Sequence, residues 1–343
     1  MKKQLMIPGV FLLITLLLAG GCGGNGAAGQ DQIQGTASPD GGFADPGTDA
    51  GSQGEAWKPA KPYNAIVPFA AGGGTDQNMR VMAMFSEKYL GQSMAVINKG
   101  GAGGLLGYVE IANAQPDGST LGIFAFPGAA QASLSDNEFT LDKVTPLFVQ
   151  VTEPKFVAVA HDSPFATMEE LIGYARENPG KLVAANNGAG SSNEIAMVAL
   201  GLWGDMEFVN LGFDGAGPMK IGVLGGHADL MPVGATEIDE QLRPLMVFGQ
   251  TRHPDYPDVP TSYELGIELD VTAHRIIAAP AGTPQEIIDY LMDGFNKMNA
   301  DPEYQEAMKK TGAQTAFITG EELEQVIQGH LDFVQEYQEL IKE

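Results

Sequence analysis

The sequence predicts an α/β protein in which two hinged lobes, each with a mostly parallel sheet, enclose a ligand cleft. Three observations lead to this fold class. Short apolar segments alternate with helical patterns, four glycine-rich turns follow strands and open helices, and the strand–helix order recurs in a second half. Strands that alternate with helices form parallel sheets covered by those helices. Two such units joined by two crossings of the chain would leave a cleft between them.

The first 58 residues are predicted to be an export signal followed by a flexible tether. Two lysines precede an apolar stretch, Leu5 to Ala19, that is too short for a membrane span and flanked like a secretory leader, residues 1–21. The small residues directly before Cys22 resemble a bacterial lipobox, which would make this cysteine the acylated first residue of the mature protein. Residues 22–58 hold too few large apolar side chains to form a core, so we expect a flexible tether.

The charge balance excludes several kinds of partner. The chain has 43 acidic and 19 basic residues, a net charge of −24, and loss of the leader removes two more lysines. Nucleic acid and anionic lipid both need a basic surface, so neither is expected to bind directly. The single cysteine allows no disulfide within the chain. We expect a monomer that is exported and lipid-anchored to the cell membrane on its extracytoplasmic side.

Lobe 1 is predicted over residues 59–158 plus 278–343. Its strands and helices alternate in the order β-α-β-α-β, and helices from Pro284 onward complete it. The predicted strands are Ala65–Val67, Met94–Ile97 and Leu121–Phe124, with helices after Asp76 and over Gly107–Ala114.

Lobe 2 is predicted over residues 159–277. Lys155–Ala160 is expected to be a strand that crosses into this lobe, and Thr272–Ala279 a strand that returns. Between them lie strands at Lys181–Ala185, Glu207–Val209, Asp229–Met231 and Leu245–Phe248, and helices at Ser192–Leu202 and Met219–Val223.

Four glycine-rich turns carry the functional prediction. They are Phe69–Asp76, with Thr75 or Asp76 expected to cap the following helix, Asn98–Gly104, Asn186–Asn193 and Gly212–Pro218. Each alone is most simply a tight connection, but such turns lie together at the carboxyl ends of parallel strands, where ligands bind. A helix start offers an anion roughly 0.3–1 kcal/mol. Several that converge on one point predict a site for a small carboxylate.

The motifs resemble those of the tripartite tricarboxylate transporter substrate-binding proteins, the TctC or Bug family. The matching stretches are Ile66–Asp76, Val96–Gly104, Ala114–Leu121, Gly215–Pro218, Leu224–Asp229 and Ala279–Pro284. The resemblance implies a type II periplasmic-binding-protein fold that closes on a mono-, di- or tricarboxylate and delivers it to integral membrane permease subunits. It implies no cofactor, no metal and no catalysis.

Residue by residue, the resemblance implies a carboxylate cradle shared by the two lobes. The first lobe would supply Phe69, Ala70, Gly73, Thr75, Asp76, Gly101 and Gly103, and the second Ser191, Ser192 and Asn193. Glu194 and Asp214 depart from the family pattern and make the cleft region more acidic, which argues against a citrate-like trianion. Arg275 either pairs a distal carboxylate of the ligand or forms a salt bridge across the hinge. His274 is expected to pack rather than to bind ligand.

Two other function classes stay open. A carboxylate-sensing receptor would use the same cleft. An α/β enzyme acting on a small anion has less support, because a dinucleotide fingerprint starting at Gly101 would need glycine where Leu106 stands. A serine hydrolase elbow would need glycine at Glu194. The five histidines are scattered without the paired spacing of a metal site.

Overall fold

The computed structural model describes residues 57–340, apart from the side chains of Thr236 and Leu340. The predicted leader, the acylation site Cys22 and most of the tether lie outside these residues. The strands are β1 Tyr63–Val67, β2 Met94–Asn98, β3 Thr120–Phe126, β4 Val144–Pro154, β5 Phe156–Ala160, β6 Leu182–Asn186, β7 Phe208–Gly212, β8 Met231–Val233, β9 Leu242–Val247, β10 Thr272–Pro280 and β11 Thr315–Ile318.

The helices cover both lobes. They are α1 Gly74–Leu90, α2 Leu105–Ala112, α3 Gly128–Ser133, α4 Met168–Glu177, α5 Ser192–Gly204, α6 Ala216–Leu224, α7 Gln285–Asn299, α8 Pro302–Lys310 and α9 Gly320–Leu340. Within residues 57–340, none of them combines the length and the apolar character that a membrane span requires.

The first lobe is built on a six-stranded mixed sheet in the order β11-β4-β10-β3-β1-β2. As the strand–helix order predicts, β1 pairs in parallel with β2 and with β3. The other half is antiparallel, with β10 between β3 and β4 and with β11 at the edge. The carboxyl ends of β1, β2 and β3 therefore face the same edge of the sheet, and the turns that follow them lie there.

The second lobe contains two smaller sheets. In one, β5 pairs antiparallel with β8 and β9, and in the other β6 pairs in parallel with β7. A single bridge between Ala184 and Leu230 connects β6 to the start of β8. The helices α5 and α6 each begin after a strand of the parallel pair, as the sequence predicts.

Alternating residues of the strands separate the core of the first lobe into two layers. Ala65, Val67 and Ile123 pack with α1, α7 and α8, whereas Ile66 and Phe124 pack with α2 and α9 on the opposite face. This is the two-residue period of a sheet that is covered on both sides. The second lobe has its own two clusters. The long helix α9 contributes to both lobes, because it also reaches the second core through Tyr337.

The two crossings between the lobes run side by side. The chain leaves the first sheet after Pro154 and enters the second at Phe156, and the backbone N–H of Lys155 donates to the carbonyl of Val271 just before the return strand (3.3 Å). The ends of the strands favour crossings at Lys155 and Val271, which lie before the predicted lobe boundaries at 158 and 278. The exact limits of the lobes stay a prediction.

Several elements differ from those predicted. The longest strand, β4, was not predicted, nor were α3, α4 and β11, and β8 begins at Met231, where the predicted strand ends. β4 alternates little between apolar and polar residues because it is an interior strand, between β11 and β10, of a sheet covered on both faces. Such a segment lacks the period on which the sequence prediction depends.

Candidate functional site

A cavity of about 50 Å³ lies where the two lobes meet. It can hold only a few water-sized groups, since one water needs roughly 10–15 Å³ on the same measure. Eight predicted site residues line it: Phe69, Ala70, Gly73, Thr75, Asp76, Ser192, Asn193 and Arg275. The remaining lining residues are not among the predicted site residues; they are Gly74, Ala125, Lys155, Asn187, Ala216, Glu237 and Ala273.

The start of α1 contributes backbone donors. Helix α1 begins at Gly74, and its N-cap is Gly73, which has no side chain with which to cap. The prediction that Thr75 or Asp76 caps this helix is therefore wrong. The backbone N–H groups of both residues have no acceptor among the described residues. An uncapped helix start with unpaired donors at a cavity is suited to an anion.

The side chain of Asp76 is already occupied. Its buried carboxylate accepts from the N–H of Gly72 (2.9 Å), Nε of Arg80 (2.9 Å) and Nδ2 of Asn98 (3.0 Å). Burial raises the pKa of Asp76, but the hydrogen bonds from Arg80, Gly72 and Asn98 outweigh it and hold the pKa below its ordinary value. Asp76 thus fixes the first turn to the end of β2 and can offer a ligand only its backbone N–H.

The start of α5 faces the same cavity from the second lobe. Ser191 caps this helix by accepting from the N–H of Glu194 (3.2 Å), and its own side chain does not line the cavity. Ser192 and Asn193 do line it, and within the described residues their backbone N–H groups have no acceptor. The hydroxyl of Ser192 also joins the lobes, because it accepts from the N–H of Gly128 (2.9 Å).

Two buried cations reach the cavity from the crossings. Nζ of Lys155 and Nη2 of Arg275 both lie near Oε2 of Glu153, at 2.9 and 2.8 Å, and all three side chains are buried. The salt bridge of Arg275 does not cross the hinge as predicted, because its partner Glu153 lies on β4, which pairs with β10 in the sheet of the first lobe. The other predicted role, contact with a ligand carboxylate, stays a prediction, and Arg275 lines the cavity. Gly234 makes room for this cluster, since a Cβ there would collide with the Glu153 carboxylate. Removing Glu153 would leave these two buried cations without their shared partner.

Glu237 supplies the acidic character of the cavity. Its carboxylate accepts from the N–H of Gly234 (2.8 Å) and reaches across the cleft to the first N–H of α1, on Gly74 (3.3 Å). The acidic residues predicted to shape the cleft lie elsewhere. Glu194 accepts from the N–H of Gly190 in its own turn (2.6 Å), and Asp214 does not line the cavity.

The glycine turns meet in two seams between the lobes. Beside the cavity, Gly73 lies against Ala216, and Gly215 against Ala70, so that added Cβ atoms would lie 3.4 and 3.2 Å from the facing Cβ atoms. The second seam does not line the cavity. There Gly103 packs so closely on the carbonyl of Ala189 that a Cβ would collide with it. With both seams in contact, the cleft is closed.

The structure therefore does not bring three predicted residues to the cavity: Gly101, Gly103 and Ser191. Gly103 belongs to the second seam and Ser191 caps α5. Gly101 has a positive φ of 126°, and a Cβ there would lie 2.7 Å from Cδ1 of Leu106. The turns were correctly found, but the sequence does not reveal which of their residues face inward.

His274 is packed, as predicted. Its Nδ1 lies 2.8 Å from Nε2 of His330 on α9, and burial lowers the pKa of these two histidines to about 4 and about 3. Neither lines the cavity between the lobes. Among residues 57–340, no three histidine, cysteine or acidic side chains are grouped as metal ligands would be.

Sequence comparison gives one family. The model of the tripartite tricarboxylate transporter family receptor matches residues 78–343. A Cupriavidus necator protein described as "UPF0065 protein in gbd 5'region" is 32% identical over 273 residues, which cover 78% of this chain and 83% of that protein.

Solved structures agree with this result. The periplasmic binding protein BugD is 30% identical, with a TM-score of 0.76 and coverage of 83% of this chain and 97% of BugD. MatC from Rhodopseudomonas palustris, solved with bound malate, is 25% identical with a TM-score of 0.73, over 82% of this chain and 99% of MatC. The fold is that of the periplasmic binding proteins, as predicted.

Proposed function

The chain belongs to the tripartite tricarboxylate transporter receptor family, and from this premise we propose that it captures a small organic carboxylate between its lobes and delivers it to membrane permease subunits. The observation that carries the proposal is the convergence of donors on one cavity. Unpaired N–H groups at the starts of α1 and α5 come from opposite lobes, and Lys155 and Arg275 add two buried cations. The malate bound by MatC is in keeping with such a ligand.

Capture by closure follows from this arrangement. With the lobes apart, the donors of α1 and α5 are separated, and neither set alone surrounds a carboxylate. A ligand that contacts both sets stabilises only the form in which the two seams meet. The permease would then recognise the closed form.

The test of carboxylate binding uses matched ligands. A panel of small carboxylates, with and without amino and hydroxyl groups, is compared with the corresponding uncharged amides by differential scanning fluorimetry and isothermal titration calorimetry. We expect at least one carboxylate to raise Tm by several degrees and its amide to have no effect. Mass spectrometry should recover the ligand unchanged, because a receptor binds without turnover. A panel in which no carboxylate binds would refute the proposal.

A variant locates the binding. Lys155→Met should weaken the best carboxylate at least tenfold, because it removes a buried cation at the cavity. The matched control is Lys143→Met, on a lysine that is outside the cavity and whose ammonium donates to the carbonyl of Glu138. Equal affinity in wild type and in Lys155→Met would place the ligand elsewhere.

Anchoring and delivery are the remaining parts of the proposal. Acylation at Cys22 would hold the protein at the membrane, with residues 23–58 as the tether. Cys22→Ala should move the protein from the membrane fraction to the soluble fraction and abolish labelling by a palmitate analogue. Delivery predicts that deletion of the gene abolishes uptake of the carboxylate and that the anchored wild type restores it. Normal uptake in the deletion strain would contradict delivery to a permease but not carboxylate binding.

A further inference from the structure

We propose that the ligand is a zwitterion, a small carboxylate that also carries an ammonium group, and that Glu237 and Asn187 select the ammonium. This inference rests on the proposed function, since it specifies which carboxylates the same cavity accepts. It comes from three observations among residues 57–340: the charge already present around the cavity, a carboxylate that forms no salt bridge, and a buried acceptor without a donor.

The charges around the cavity are balanced before any ligand enters. Asp76 is paired with Arg80. Lys155 and Arg275 are matched by Glu153, to which both are bonded, and by Glu237. Each carboxylate of a ligand would bring an uncompensated negative charge into a closed cavity, which is costly. An ammonium group on the same ligand offsets one of these charges, so an amino acid adds one negative charge fewer than its hydroxy or unsubstituted analogue.

Glu237 is counted in this balance but forms no salt bridge of its own among the described residues. It lines the cavity and accepts only from two backbone N–H groups, those of Gly74 and Gly234, and none of the described side chains forms a salt bridge with it. A carboxylate has about four acceptor positions, so this one can accept further donors. A ligand ammonium, with three donors, would both neutralise it and complete its hydrogen bonding.

Asn187 provides a second acceptor at the same cavity. Its Oδ1 is buried and has no hydrogen-bond partner among the described residues. A buried acceptor left unpaired costs roughly 1–3 kcal/mol, so a ligand donor at this point is favoured. Its neighbour Asn186 instead accepts from the N–H of Gly188 within the turn (2.9 Å) and is not part of the lining.

The other end of the ligand meets the donors already described. The unpaired N–H groups of Thr75 and Asp76 on α1, and of Ser192 and Asn193 on α5, take the carboxylate together with the two cations. The cavity thus has donors for an anion and acceptors for a cation within about 50 Å³, which suits the short separation of the two groups in an amino acid.

The experiment compares ligands that differ only at the ammonium position. Alanine, lactate and propionate share one carbon skeleton, as do aspartate, malate and succinate. Isothermal titration calorimetry on the wild-type protein should show one of the two amino acids bound at least tenfold more tightly than its hydroxy and unsubstituted analogues. Malate or succinate bound more tightly than aspartate, together with lactate or propionate more tightly than alanine, would overturn the inference but leave the proposed function in place.

Two glutamate variants assign the effect. Glu237→Gln keeps the size and an acceptor but removes the charge, so the amino acid should lose at least tenfold in affinity while its hydroxy analogue is unchanged or gains. Glu240→Gln, on an exposed residue outside the cavity, should leave both ligands at wild-type affinity. An unaltered preference in Glu237→Gln would also overturn the inference. If no ligand in either series binds to the wild type, the proposed function fails as well.

Discussion

The two seams between the lobes are built from the same kind of turn but differ in how closely the lobes approach each other and in whether they border the cavity. In the seam beside the cavity, Gly73 and Gly215 approach the opposite lobe at ordinary van der Waals separations or slightly less. In the second seam, Gly103 has a positive φ of 65° and lies directly on the carbonyl of Ala189, with no room for a side chain. The first seam borders the cavity that we propose to hold the ligand, and the second sets how closely the lobes can meet.

This difference teaches that a glycine-rich strand–turn–helix segment does not by itself identify a ligand contact. The turns of both seams show the same glycine-rich strand–turn–helix pattern in the sequence. The first is distinguished by what lies around it: unpaired N–H groups, buried cations and a cavity. The second holds glycine for close backbone approach between lobes. Substitutions that separate steric closure from ligand contact can test this distinction.

The largest effect is expected from Gly103→Ala. The added methyl group collides with the carbonyl of Ala189, a backbone atom that cannot move aside, so the closed form is lost although no ligand contact changes. Ligand affinity should fall about 100-fold or more, and small-angle X-ray scattering should show a larger radius of gyration at saturating ligand.

The control for this variant is Gly190→Ala in the facing turn. Gly190 also has a positive φ, 75°, but its added Cβ would lie 3.6 Å from the nearest atom, Cγ of Gln131. It should cost stability of roughly 1 kcal/mol from backbone strain while closure and affinity are retained. Equal loss of affinity in both variants would mean that strain, rather than the collision, opens the cleft.

An intermediate effect is expected from acid at Asp76. Because the folded-state pKa of this carboxyl is lowered, its contribution to stability is present above the ordinary pKa and disappears as the pH falls through the lowered value. Loss of its charged hydrogen bonds should cost roughly 1–3 kcal/mol. Thermal melts between pH 6 and pH 3 should show a smaller decline in Asp76→Asn than in wild type, whereas Asp162→Asn, at an exposed position, should decline as wild type does.

The smallest effect is expected from Gly73→Ala, in the seam beside the cavity. The φ of Gly73 is −80°, and the added Cβ would lie 3.4 Å from Cβ of Ala216, an ordinary contact. Affinity should change by less than about threefold in calorimetry. A loss as large as that of Gly103→Ala would show that the two seams are equally intolerant and remove the distinction drawn between them.

The sequence predicted the fold and part of the site for a definable physical reason. Strand–turn–helix order and glycine position are local signals, and they located β1 to β3, the first turn and the start of α5. The charged lining of the cavity has no local signal. Lys155 lies at a strand crossing and Glu237 in a short segment after β8, and each reaches the cavity only because distant elements assemble around it.

The same limit applies to Gly103 and Ser191, which the sequence predicts as ligand contacts. Both lie in turns of the right kind at the right edge of the sheet. Their actual contacts, with the opposite lobe and with the N–H of Glu194, depend on the angle at which each turn leaves its strand. No pattern within a few residues determines that angle.

Lys155 joins two parts of the molecule in a single residue. Its backbone lies in the crossing, where its N–H donates to Val271 and its carbonyl accepts from the N–H of Phe248 (2.8 Å), while its ammonium lines the cavity. A ligand bound to this ammonium would therefore act directly on the crossing about which we propose that the lobes turn. Under the proposed function, this one side chain would couple occupancy of the cavity to the angle between the lobes, and a membrane partner that recognises that angle would need no longer route through the protein.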